Sequence, residues 1–232
     1  MACSHCSETV ISAWTPQGGP SNNGRDVARR FAREILQSAV RYHREHGFGF
    51  QYLGSASGFT ISADGYSRLL SALPRLDFNA NVTDLREGAF ASYNRGDDRV
   101  KFRPENLGRP EARGAMLHEL VHAFQDLTRF RGLHVEIEAT AYMAQALWVA
   151  ADSGRNIQNR LRAQAGGMYS GDAADIYRQA ARLCLDLGLD RAIRPIRRTD
   201  IAPLERALRN SRAYGSVVDR TYQANGIAGF RG

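Results

Sequence analysis

Apolar residues recur at helical spacing in the first regular stretch of the chain, RDVARRFAREILQSAVRYHREHG. Val27, Phe31, Ile35 and Val40 form the stripe, and Gly47 stops the run. FGFQYL and GFTIS then read as short strands, and DGYSRLLSALPRL as a turn and short helix. GAFASYN and RVKF, joined by the turn chemistry of RGDD, predict a hairpin. PENLGRP punctuates before a helix over 110–130, opened by Pro110 and closed near Arg131-Gly132. After a very short link comes a second helix, LHVEIEATAYMAQALWVAADSG, with Ile137, Ala141, Ala144 and Trp148 as its buried stripe and Gly154 as its end. DAADIYRQAARLCLDLGL is amphipathic and APLERALRNSRAY is a shorter helix. RAIRPIRR between them reads as a basic connector, and the terminal ANGIAGFRG as a frayed end.

One helix, a few antiparallel strands and a helical block predict an α+β domain. TPQGGPSNNG is rich in breakers, so residues 1–23 read as a flexible tail and 24–232 as a single domain, with a helical subregion over about 155–232. There is no internal repeat and no heptad pattern.

Composition adds limits. The chain has 232 residues, 43% apolar and 24% charged, enough to bury a core. No apolar run is long enough for a bilayer, and the N-terminus lacks a basic start and a continuous apolar core. The expectation is a cytoplasmic protein, or one exported without a cleaved signal, and no membrane partner. Cys3, Cys6 and Cys184 make no disulfide framework, and the Cys3–Cys6 spacing has no second ligand pair for structural zinc.

The net charge is +7, and Lys101 is the only lysine. Arginine favours planar contacts with carboxylate and phosphate. An alternative function follows: a basic module in which RAIRPIRR and the first helix touch phosphate around a structural or degenerate zinc site. The basic runs carry no interleaved aromatics and no nucleic-acid motif, which argues against a nucleic-acid partner.

The chemistry concentrates in MLHELVHAFQDL. His118 and His122, four apart on a helix, share a face and can ligate one zinc ion. Glu119 is offset from the metal yet close enough to act as general base on a water held there, then as proton shuttle. Met116, Leu117, Leu120 and Phe124 supply the opposite, packing face. A catalytic zinc usually keeps three protein ligands and one open position. The third could be His134, Glu136 or Glu138. The three-histidine pattern HExxHxxGxxH fails, because Gln125 and Thr128 stand where glycine and histidine are needed.

Over about residues 88–150 the chain resembles the gluzincins, the thermolysin-like zinc peptidases. Glu138-Ala139-Thr140-Ala141-Tyr142 looks like their E-(G/A)-x-A-x-(Y/F) pattern on the helix after the motif helix. The resemblance implies Glu138 as third ligand, ahead of Glu136 and then His134. HELVHAF is also similar to the HELxHA(F/Y) of mitochondrial intermembrane processing peptidases, but the cysteines that surround that motif are missing here. Short bacterial effector and toxin peptidases with HELxHA fit the size, the missing signal and the single lysine.

The resemblance further implies an edge strand above the motif helix, antiparallel to a bound peptide. GAFASYN or RVKF is the candidate, with Gly88, Ala89 and Ala91 keeping the approach open. Tyr142, Tyr169, Tyr177, Tyr214, His134 and the arginines are candidates for an oxyanion donor, and Gln125 or Asp126 for holding an imidazole. The expected function is a zinc-dependent endopeptidase acting on a protein or peptide.

Overall fold

A computed structural model describes residues 22–54, 56–79, 85, 90–103, 110–154, 156–168, 173–212, 214 and 219–230. The tail through residue 21 with Cys3 and Cys6, the PENLGR segment, Gly88, Ala89 and Tyr169 lie outside them. The architecture is α+β: helices around a nearly buried central helix, with three small sheets among the described residues. No helix among the described residues is long and apolar enough to cross a membrane.

Helix α1 spans Asn22–His46, overlapping the expected tail by two residues. Its innermost positions are Ala28, Ala32, Ile35, Leu36, Ala39 and His43, whereas Val27, Phe31 and Val40 flank them half-buried. The buried stripe is therefore turned by about one position from the expected one. Alanines have little side chain to show in a periodicity count, yet they let a helix lie close to its neighbours.

Strands β1 (Gly49–Leu53) and β2 (Gly58–Ile61) form the first antiparallel pair. Helix α2 (Ala63–Ala72) is capped by the Ser62 hydroxyl, which accepts from the Gly65 N–H at 3.3 Å. Strand β3 (Asp77–Asn79) runs parallel to β5 (Arg99–Phe102), and β4 (Ala91–Asn94) pairs with the other side of β5. The expected hairpin is present, with β4 at the sheet edge.

Helix α3 (Pro110–Leu127) carries the histidine motif. Arg129, at φ 55, turns the chain into β6 (Arg131–Leu133), and α4 (His134–Asp152) starts at the next residue. Sixteen of the α4 residues from Val135 to Ala151 are buried, so it is less a stripe than a core rod, as expected of a helix rich in alanine on every side. Helices α5 (Ile157–Ala165), α6 (Ala174–Asp186) and α7 (Ala202–Asn210) pack against it.

Two expectations for the C-terminal third are corrected. RAIRPIRR is not a connector: Ile193–Arg197 form β7, parallel to β1 in a β2-β1-β7 sheet. Only Ile196 is buried there, so the outward arginines hid the strand, and Pro195 is tolerated because β7 is an edge. The C-terminal segment is not frayed through residue 230 either. Thr221–Gln223 form β8, antiparallel to β6, and Ala224 and Ile227 are buried.

Candidate metal centre

On α3, His118 and His122 stand one turn apart and point together. Their Nε2 atoms are 3.0 Å apart and their rings nearly perpendicular, at 86°. The link to α4 is short, so the start of α4 faces back onto α3. It delivers Glu138, with Oε2 3.2 Å from His118 Nε2 and Oε1 3.5 Å from His122 Nε2. These three residues form the one His/Cys/Asp/Glu group among the described residues that can hold a metal ion. All three are buried.

Glu136 lies outside this group. It turns the other way, accepting from the Tyr52 hydroxyl and from the Leu133 N–H, each at 2.6 Å. Gly132 makes room for it: a Cβ there would lie 2.6 Å from Glu136 Oε2. Two positions along a helix differ by about 200°, which is why only one of the two glutamates reaches the histidines. His134 stays outside the group. Its Nε2 lies 3.6 Å from Glu138 Oε1, too far for a hydrogen bond.

Gln125 orients His122. Its Oε1 lies 2.8 Å from His122 Nδ1, while its amide donates to the Ile137 carbonyl at 3.0 Å and to Thr140 Oγ1 at 2.9 Å. The amide thus fixes Oε1 as acceptor, and the acceptor fixes the proton on Nδ1, leaving Nε2 with its lone pair toward Glu138 and His118 in the neutral ring. Asp126 does not hold an imidazole. It accepts from the Tyr93 hydroxyl at 2.9 Å and from the Asn225 and Gly226 N–H groups, both at 2.9 Å. His118 is braced by packing, with the Tyr142 ring edge-on at 4.4 Å.

The electrostatics of the group follow from its burial and its mutual contacts. Burial opposes a charged His122, but the adjacent Glu138 outweighs it and lifts the pKa to about 9. Burial likewise opposes ionised Glu138, yet His122 and His118 hold it well below the usual carboxylate range. His134 is lowered by burial, Glu138 works against that, and His122, Arg95 and Arg220 reinforce the lowering.

Glu119 lies at the cleft wall, half-exposed, and its Oε2 accepts from the Tyr93 N–H at 2.7 Å. That bond reports the orientation of β4. Arg103 donates to the Phe90 carbonyl, so Phe90, Ser92 and Asn94 bond to β5 in alternation, and Ala91 and Tyr93 turn their backbone groups to the open edge. The edge faces a cleft of about 670 Å³ lined by His118, Glu119, His122, Glu138, Tyr93 and residues of the C-terminal segment.

Among the other tyrosine candidates, Tyr142 bonds hydroxyl to hydroxyl with Tyr214 at 2.9 Å, and Tyr177 packs edge-on to Tyr142 at 5.3 Å. Tyr214 lines the cleft. Burial foremost, with the nearby carboxylates adding to it, raises the pKa of Tyr142 and of Tyr214, so both hydroxyls keep their protons at neutral pH.

Sequence reasoning missed the cleft wall made by Arg95, Arg220, Thr221 and Tyr222. A three-residue strand leaves no periodic signal, and its partner β6 hid in the link between helices. Comparison with protein-family models, curated proteins and solved structures finds no match to this chain.

Proposed function

We propose that this protein is a zinc-dependent endopeptidase with a gluzincin-like site. The observation that carries the reading is the convergence of His118, His122 and Glu138 on one point, with Glu119 beside it and an open strand edge above. Two nitrogens and one carboxylate are a common donor set for catalytic zinc. The distances support the fit. Tetrahedral ligands at about 2.0–2.1 Å from a metal are roughly 3.3–3.4 Å from one another, and the pairs here are 3.0, 3.2 and 3.5 Å apart. When bound, zinc would supply Lewis acidity, activating a water and polarising the scissile carbonyl.

The chain's own groups would do the rest. An extended peptide lies along β4, pairing with the Ala91 backbone groups and the Tyr93 carbonyl, while the Tyr93 N–H stays with Glu119. Glu119, aimed by the Tyr93 N–H, takes a proton from the attacking water and gives it to the departing amine nitrogen. Tyr214, protonated, hydrogen-bonded to Tyr142 and lining the cleft, would serve as the oxyanion donor. Gln125 keeps His122 in the tautomer that offers Nε2.

The test is metal-dependent peptide cleavage. Purified protein is stripped with a chelator, reloaded with one equivalent of zinc and incubated with a broad mixture of proteome-derived peptides. Cleavage at defined bonds, lost on stripping and restored by zinc, is the expected result. A zinc-loaded protein that leaves the whole mixture intact would count against the reading.

A further inference from the structure

Two guanidinium groups share one wall of the cleft. Arg95 follows β4 directly. Its Nη1 donates to the Gln223 carbonyl at 2.9 Å, and its guanidinium lies 4.4 Å over the Tyr222 ring. Arg220 precedes β8, and its carbonyl accepts the His134 N–H at 2.9 Å, which ties this wall to the start of α4. Both side chains are exposed and line the cleft.

Several arginines outside the cleft are committed to carboxylates, among them Arg99 to Asp77, Arg198 to Glu205 and Arg209 to Asp219. Arg95 and Arg220 have no ion pair with a described carboxylate. The acids that line the cleft are engaged as well, Glu119 by Tyr93 and Glu138 by the histidines. Two cations in a groove, one of them held at two points, form a preorganised receptor for a carboxylate. The net charge of +7 adds attraction for acidic chains at longer range.

Resting on the peptidase reading above, we propose that Arg95 and Arg220 select substrates bearing aspartate or glutamate on the amino-terminal side of the cleaved bond. The side follows from strand polarity. A peptide antiparallel to β4 runs its amino-terminal part past the carboxyl end of the strand, and Arg95 stands just beyond that end.

The experiment has two arms. In the first, zinc-loaded wild type and the double variant Arg95→Glu/Arg220→Glu digest the same peptide mixture, and the cleaved sites are aligned. Wild type should favour acidic residues amino-terminal to the bond. The double variant should lose roughly tenfold or more in kcat/KM on acidic peptides and gain on basic ones, so that the charge preference reverses. Arg220→Glu alone, whose side chain makes no hydrogen bond among the described residues, should shift in the same direction and serves if the double variant unfolds. In the second arm, Glu119→Gln protein binds one synthetic peptide in acidic, neutral and basic versions, followed by fluorescence anisotropy at two salt concentrations. Tighter binding of the acidic version, weakened by salt, is expected. Cleavage without charge preference would overturn the selection and leave the peptidase. Charge-selective binding without any cleavage would sink the peptidase and retain the recognition. Neither cleavage nor selective binding would overturn both.

Discussion

Glu136 and Glu138 sit two positions apart on α4 and hold different things together. Glu138 meets the two histidines; Glu136 locks Tyr52 and the Leu133 N–H. Removing each should separate metal binding from stability. Glu138→Ala should abolish zinc binding in a titration against a chromophoric chelator. Glu136→Ala should keep about one zinc per chain but lose about 3 kcal/mol in chemical denaturation, because it leaves the buried Tyr52 hydroxyl and the half-buried Leu133 N–H without their acceptor. Gln125→Leu should weaken zinc binding by roughly 10–100-fold in the same titration, since it frees the His122 ring. The sequence pointed to His118, Glu119 and His122 through their spacing, and to Glu138 through a family pattern. The role of Gln125 was open between it and Asp126. A polar residue on a helix reads as surface unless one knows that the Ile137 carbonyl and Thr140 lie against it.

At the scale of elements, the helices were legible and several strands were not. α3 and α4 announce themselves over eighteen and nineteen residues. β3, β6 and β8 have three residues each, and β7 shows one buried position in five, so none leaves an alternating pattern. What holds the C-terminal segment is also non-local. Asp126 on α3 accepts from Asn225 and Gly226, and Asp98 beside β5 accepts from the Ala228 N–H at 2.9 Å. The same Asp126 takes the Tyr93 hydroxyl, so one carboxylate joins motif helix, edge strand and cleft wall. Asp126→Ala should cost about 3 kcal/mol of stability. It should also raise hydrogen–deuterium exchange at residues 225–228 ahead of global unfolding, whereas unchanged exchange there would contradict the clamp.

The whole molecule closes on itself. β7 from the C-terminal third completes the sheet begun by β1, β8 completes β6, and Tyr214, Arg220 and Tyr222 help to wall the cleft beside the α3 motif. His43 on α1 is buried in the core. Its Nδ1–H donates to the Phe48 carbonyl at 3.0 Å, its ring lies against Phe48 and Tyr66, and burial lowers its pKa to about 4 despite that bond. The unfolded chain binds this proton near pH 6.5 and the folded one only near 4, so the stability is present above pH 6.5 and is lost as pH falls toward 4. The loss from this group is about 3 kcal/mol. His43→Asn should flatten the fall of stability between pH 6.5 and 4 in denaturant titrations, and an unchanged slope would place the acid sensitivity elsewhere.

The central claim is that Glu119 moves protons at a metal centre built by its neighbours. The direct measurement compares Glu119→Gln with wild type, in zinc content and in peptide cleavage on the same preparation. Glutamine preserves size but removes the base. About one zinc per chain is expected in both proteins, with a fall in kcat/KM of roughly 10²–10⁴-fold in the variant. A zinc-loaded Glu119→Gln protein that cleaves at the wild-type rate would contradict the claim.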